Sequence, residues 1–372
     1  MESRKAPPKQ TGSSHQRRIL FTAPNEARLE QFMLDEREPL EPHEVLLETS
    51  FSLVSTGTEL ANFTGLSPDV WTPGAWGAYP HVPGYTAVGR VLAVGSAVSQ
   101  YGRNGERIVP GATVFAFTPH ASRAKAQVSR LFLLEPGDDP QAVLLGRMAM
   151  VAMSAVRALR QPVVGRQAAV IGLGLVGMFA AELFQLAGAD VRAYDLAPRR
   201  VDLARRLGID SEVGLPRGDE GRNCADVVIE AIGNPRLVPR AVTMARSRGE
   251  VILLGTPRGP GEDAGAMLSD VHLKGVSVTG AFEWLAPFLA SEAGWGPSLE
   301  DSAITLFNWI REGRLRTEGM ISDIVAPEEC QEVYRSLAAD PNTHLGVVFD
   351  WHHRLQEGPQ DKPVELEAKP AP

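Results

Sequence analysis

Three glycines, Gly172, Gly174 and Gly177, stand in the spacing G-x-G-x-x-G within Ala168-Ala-Val-Ile-Gly-Leu-Gly-Leu-Val-Gly177. The first glycine of such a set permits a tight turn. The second lets a pyrophosphate approach the backbone, and the third lets a helix pack close to a strand. The chemistry this implies is dinucleotide binding. A helix opening at Leu175 and Val176 would turn free N–H groups and a positive partial charge toward phosphates. Asp195 lies 18 residues beyond Gly177. It is placed to accept hydrogen bonds from ribose hydroxyls and to repel a 2′-phosphate, so NAD is expected in preference to NADP. Arg199 and Arg200 follow closely, and an arginine there can receive a 2′-phosphate.

The elements needed to hold these residues are legible around them. An apolar strand over 168–171 precedes the glycines, a proline-free helix over 175–187 follows, and a second strand over 190–194 ends at Asp195. A buried strand runs through Ala225-Asp-Val-Val-Ile-Glu-Ala-Ile-Gly233, then a helix over 236–246, a strand over 250–255 and a sixth over 276–280. Alternating helices and strands give a parallel α/β sheet. Ligands of such sheets sit beyond the carboxyl ends of the strands, which places Ala231, Gly233, Gly255 and Thr256 along the cofactor cleft.

In front of this unit, 18–145 holds short β-type runs broken by Gly and Pro, among them 44–49, 87–94 and 112–117, and reads as a small β domain. Behind it come helical stretches over 302–312 and 328–338 and a last strand over 345–350. The 372 residues suit two or three domains. Apolar residues are 44% and charged ones 22%, a globular composition able to bury a large core.

The 45 acids outnumber the 37 bases, and there is no long basic run, so nucleic acid is not an expected partner. No run of 18 apolar residues exists, so no transmembrane helix is expected. The start lacks the apolar core of a secretory signal, and a cytoplasmic location is expected. Residues 1–17 and 356–372 are polar and proline-rich and read as disordered tails. Two cysteines, Cys224 and Cys330, exclude a disulfide framework and a four-cysteine zinc site.

The order of these parts, with Val54-Ser-Thr-Gly-Thr-Glu59, Pro80-His-Val-Pro-Gly-Tyr-Thr-Ala-Val-Gly89, the glycine set and Asp195-Leu-Ala-Pro-Arg-Arg200, resembles the medium-chain dehydrogenase/reductase superfamily over about 18–352. The resemblance implies an α/β chain. A GroES-like β-rich catalytic domain over 18–155 is joined by the returning segment 291–355, and together they clasp a Rossmann domain over 156–290. Substrate, a small molecule, would lie between the two, and a homodimer or homotetramer is implied.

Zinc alcohol dehydrogenases of that superfamily carry their metal ligands where this chain has Thr56, Tyr85 and Arg147. Arginine cannot lose its proton in a protein and does not bind Zn²⁺, so no metal and no zinc are expected. Without a metal, hydrogen-bond donors must stabilise the developing oxyanion. Tyr85 could donate to the substrate oxygen. Arg147 could orient an anionic substrate group, lower the pKa of Tyr85, or pair with an acid such as Glu59. Thr56 offers a hydroxyl or packing. His120 is the alternative acid/base, or a solvated loop histidine. Trp71 and Trp76 could wall a pocket for a bulky ring, or pack ordinarily.

The expected activity is zinc-independent, NAD(P)-dependent interconversion of a secondary alcohol and a ketone of a specialised metabolite. The alternatives are reduction of a conjugated C=C bond, an epimerase or lyase that uses bound NAD transiently, and a nucleotide-binding protein without catalysis.

Overall fold

The computed structural model of the chain describes residues 14–34, 38–98, 107–261, 264–292, 294 and 296–352. It opens on an antiparallel hairpin of β1 (Ser14–Ala23) and β2 (Glu26–Leu34). The tail expected over 1–17 therefore gives up its last four residues to a strand. The rest of that segment and 356–372 lie outside the described residues.

Five strands follow: β3 (Glu44–Leu53), β4 (Ala87–Val94), β5 (Thr113–Ala116), β6 (Arg123–Gln127) and β7 (Leu131–Leu133). Helix α1 (Thr56–Phe63) leaves the end of β3. The long helix α2 (Pro140–Arg157) starts with Pro140 at its first turn and the Asp139 carboxylate accepting from the Gln141 amide at 2.9 Å. That carboxylate satisfies one of the orphan donors of the helix start.

The nucleotide half alternates as expected: β8 (Gln167–Ile171), α3 (Leu175–Leu186), β9 (Asp190–Asp195), α4 (Pro198–Arg206), β10 (Asp210–Val213), β11 (Ala225–Glu230), α5 (Val238–Met244), β12 (Ala245–Leu253), α6 (Gly265–Lys274) and β13 (Ser277–Gly280). All pairings in this six-stranded sheet are parallel, in the order β10-β9-β8-β11-β12-β13. That is the doubly wound order, and the crevice where it reverses lies beyond β8 and β11. β8 and β11 are apolar on both faces because helices cover both.

The chain then returns through α7 (Leu299–Arg311), β14 (Ile321–Val325), α8 (Cys330–Ala339) and β15 (Gly346–Asp350). β15 pairs antiparallel with the end of β3, completing a seven-stranded sheet in the order β14-β15-β3-β4-β5-β7, with β6 pairing the Glu44–Glu48 part of β3. This is the separate β-rich domain, built from segments on either side of the nucleotide half. Helix α2 joins the halves, packing on α3 and also on β3 and β4. One cluster of buried apolar residues runs through it from Leu53 and Val88 to Val170 and Ile229. A second, with Ile19, Phe21, Phe63, Tyr334 and Phe349, locks the hairpin, α1 and the C-terminal return together.

Candidate functional site

The glycine set sits at the crevice. Gly172 has φ +97°, a conformation open to glycine, and a Cβ on Gly177 would meet the Gly172 carbonyl oxygen at 1.9 Å. Around Gly174, which caps α3, an added Cβ would meet nothing within 4 Å. That is the open backbone cradle a pyrophosphate requires, with Leu175 and Val176 opening the helix behind it. The turns after β11 and β12 press together, since a Cβ on Gly255 would stand 2.2 Å from the Gly233 nitrogen. Glu230, buried at the end of β11, ties this turn by accepting from the Ile232 and Gly233 amides at 3.0 Å. Ala231 and Thr256 are carried on the same two turns. These residues fit a nicotinamide dinucleotide.

Asp195 ends β9, where its Oδ2 accepts the Leu173 amide at 2.7 Å and its Oδ1 the Ala197 amide at 2.8 Å. Each oxygen keeps a lone pair for a ribose hydroxyl. Arg200 stands 3.8 Å from Asp195, but it turns its Nη2 to the carbonyls of Pro341 and His344, the latter at 2.9 Å. It thus anchors the C-terminal return, and Arg199 is the exposed cation beside it.

Across the cleft, Tyr85 and Arg147 are in contact, and Thr56 follows Ser55, which bonds to Tyr85. Thr56 begins α1, half-buried, directly after Ser55. The Tyr85 hydroxyl bonds to Ser55 Oγ. The Arg147 guanidinium lies over the Tyr85 ring, 4.8 Å from its centroid. Arg147 pairs with Glu283, not Glu59: Nη1 and Nη2 donate to the two carboxylate oxygens at 2.6 and 2.5 Å. Glu283 sits on a short turn, Glu283–Leu285, just past β13. Both of these Arg147 nitrogens are taken, so they are not offered to an anionic substrate group.

The electrostatics follow from this packing. Burial works against the Arg147 charge, but the field and hydrogen bonds of Glu283 outweigh it and hold the guanidinium pKa above its usual value. Burial also raises the Tyr85 phenol above its ordinary value. Arg147 pulls that pKa down and Glu283 pushes it up, so the net lowering expected from the arginine is not realised.

His120 is not a solvated loop residue. It is fully buried, with Nδ1 against Ser52 Oγ at 2.8 Å and Nε2 against Glu59 Oε2 at 3.0 Å. Glu59 also accepts the Ser55 amide at 2.8 Å and the Tyr334 hydroxyl at 2.5 Å. The Trp351 indole N–H donates to Ser52 Oγ at 2.8 Å. Both ring nitrogens of His120 are therefore occupied inside the β domain, where Glu59 and His120 brace the base of α1.

Trp76 lies 6.5 Å from the Tyr85 ring, and Trp284 lies 5.8 Å from the Arg147 guanidinium. They are 59% and 45% exposed. Trp71 turns elsewhere, packing edge-on to Tyr79 and donating to the Gly65 carbonyl at 3.1 Å. Glu283, Ser55 and Trp284 carried no signal in the sequence as site residues, because nothing in their local spacing marks them.

The donor set does not fit zinc. Thr56 and Tyr85 supply neutral hydroxyls, and the third position is a cation already matched to a carboxylate. Among the described residues, no three of His, Cys, Asp and Glu come together as a metal site. No helix among them is long and apolar enough to cross a membrane.

Residues 176–286 match the family model described as zinc-binding dehydrogenase. The chain is 26% identical over 350 residues to 2-desacetyl-2-hydroxyethyl bacteriochlorophyllide A dehydrogenase of Cereibacter sphaeroides, covering 90% of this chain and 97% of that one. It is 24% identical over 302 residues to D-arabinitol dehydrogenase 1 of Uromyces fabae, covering 70% and 80%. Galactitol-1-phosphate dehydrogenase from Escherichia coli shares the fold, with a TM-score of 0.71 at 17% identity over 90% of this chain and 99% of that one. Fold and site together define a nicotinamide-dependent oxidoreductase. The chain is similar in sequence and in fold to the medium-chain dehydrogenase/reductase superfamily.

Proposed function

We propose that this chain is a zinc-independent dehydrogenase that uses NAD in preference to NADP and interconverts a secondary alcohol and a ketone of a bulky, specialised metabolite. The observation that carries the reading is the Tyr85–Arg147–Glu283 assembly, whose first two members are residues that the resemblance sets at metal-ligand positions of zinc alcohol dehydrogenases. When bound at the glycine cradle, the dinucleotide supplies the hydride acceptor or donor.

The remaining chemistry falls to the chain. In the reductive direction Tyr85 donates its phenolic proton to the substrate oxygen. Ser55 can turn its own hydroxyl proton to the Tyr85 oxygen and leave that phenolic proton free for substrate. Arg147 stabilises negative charge arising on the phenol, and Glu283 fixes the guanidinium in place. Trp76 and Trp284, exposed on the two sides of this group, suit a flat ring system more than a short polyol. The names of the relatives support the alcohol chemistry, one including a hydroxyethyl group and another a polyol. Assembly as a homodimer or homotetramer belongs to the same proposal. It is supported by edge strand β13, whose Val278 is exposed.

The test is NADH formation from a panel of secondary alcohols, with Tyr85→Phe alongside. Loss of turnover by about two to four orders of magnitude supports Tyr85 as the acid. Unchanged turnover refutes it. Analysis of the product separates alcohol oxidation from C=C reduction and from net epimerisation without NADH.

A further inference from the structure

Among the described residues, Arg258 is a cation at the cleft with no acid to match it. Arg258 follows β12 on the nucleotide half, and its own amide is held by the Gly233 carbonyl at 3.1 Å. Its side chain crosses to the other half, where Nη1 donates to the Gly57 carbonyl at 3.2 Å, on the first turn of α1. Arg258 is half-buried, and no carboxylate among the described residues comes within ion-pair distance of it. Burial holds its pKa below the usual arginine value, against the smaller opposing influences of the Tyr85 phenol and of Asp69. Arg147, over the Tyr85 ring, is neutralised by Glu283. The two arginines thus differ in kind: one is a closed pair, the other an open charge beside the proposed proton donor.

A half-buried guanidinium without a counterion carries a desolvation cost, and a planar fork of N–H donors matches a carboxylate or phosphate. Only one of its donors is spent on a carbonyl. We infer that Arg258 is the substrate-recognition residue of this site and receives a carboxylate or phosphate group of the alcohol substrate. The substrate is accordingly an anionic secondary alcohol, gripped from the nucleotide half while its reacting carbon faces Tyr85. This rests on the alcohol–ketone reading for the reaction but not for the binding.

Two arms test it on the full-length protein. The first compares secondary alcohols in matched pairs, neutral against carboxylate- or phosphate-bearing, in wild type, Arg258→Gln and Arg258→Lys. Wild type should prefer the anionic members by more than about ten-fold in kcat/KM, Arg258→Gln should erase that preference, and Arg258→Lys should restore part of it. The second arm needs no turnover. The NADH-loaded protein is titrated with malonate and with inorganic phosphate, following tryptophan fluorescence. At least one anion should bind saturably to wild type and about ten-fold or more weaker to Arg258→Gln. Failure of every alcohol with Arg258-dependent anion binding intact would sink the proposed reaction and leave this inference standing. Arg258→Gln weakening NADH itself, with anion preference and anion binding unchanged, would assign the charge to the cofactor pyrophosphate and overturn it. No effect in either arm would reduce Arg258 to a clasp on Gly57 and also overturn it.

Discussion

The guanidinium of Arg147 and the carboxylate of Glu283 meet through two parallel hydrogen bonds of 2.6 and 2.5 Å, both side chains withdrawn from solvent. Removing one member strands the other charge in the interior. Glu283→Gln is expected to lower the unfolding free energy by about 3–5 kcal/mol. The double replacement Arg147→Met with Glu283→Leu should cost far less than the sum of the two singles. Urea unfolding of the wild type, Glu283→Gln, Arg147→Met, Glu283→Leu and the double measures this, and additive losses would refute the pairing.

The pH profile of ketone reduction reports Tyr85. Because burial raises the phenol above its ordinary value, it stays protonated through neutrality, and the reductive rate should be flat there and fall only on the alkaline side. Arg147 favours the phenolate, so Arg147→Met should raise the phenol pKa further and move the alkaline limb to higher pH. A limb that moves down would contradict the assignment.

Dialysis against a strong chelator should leave the activity unchanged, and elemental analysis should find far less than one zinc per chain. One tightly held zinc whose loss abolishes turnover would overturn the metal-free reading of Thr56, Tyr85 and Arg147.

Glu182, on α3, is buried and bonded to Arg316 at 2.8 Å, yet burial, the largest influence, pushes its pKa up to about 7. The folded state therefore binds this proton more tightly than the unfolded state does. Stability should be undiminished below the ordinary carboxylate range near 4.5, decline as pH rises toward about 7, and level off above it. The full effect is about 3 kcal/mol at most. Glu182→Gln should flatten the decline in thermal melts between those limits. A decline of the same size in the variant would locate the proton elsewhere.

Asp195 should set the cofactor preference. Wild type is expected to bind NADH at least about ten-fold tighter than NADPH, and Asp195→Ser should narrow the gap. Titration by fluorescence measures both affinities. An unaltered ratio would shift the discrimination to Arg199.

The nucleotide half was largely legible because its signals are local. The G-x-G-x-x-G turn, the apolar runs of β8 and β11 and the acid ending β9 each declare themselves within a few residues. Strand β4 likewise falls where its residues suggest, at Ala87–Val94. Hairpin β1–β2 was not legible at its start, since Gln16, Arg17 and Arg18 are polar. They are held by partners far off in sequence: Arg17 by Glu328, and the Ile19 amide by the His120 carbonyl at 2.9 Å. Helix α6 escaped because it buries no residue deeply and leaves Leu268 and Leu273 exposed. Tyr85 and Arg147 were brought together by the resemblance, but Glu283 lies 136 residues from Arg147, and no spacing rule links them. His120 looked like a loop residue in sequence and proved to be an interior one, because its neighbours come from β3, α1 and β15.

The bonds around Glu59 join residues made early to residues made last. Ser55 and His120 belong to the first third of the chain, whereas Tyr334 and Trp351 belong to its final stretch. During synthesis, the parallel sheet from β8 to β13 has every strand it needs once Gly280 has emerged. The β-rich half must wait for β15, and Glu59 and Ser52 lack their Tyr334 and Trp351 partners until that return is made. Birth order therefore divides the molecule: the dinucleotide cradle has all its strands before α8 and β15 are made, and the face that holds Tyr85 closes only once they have emerged.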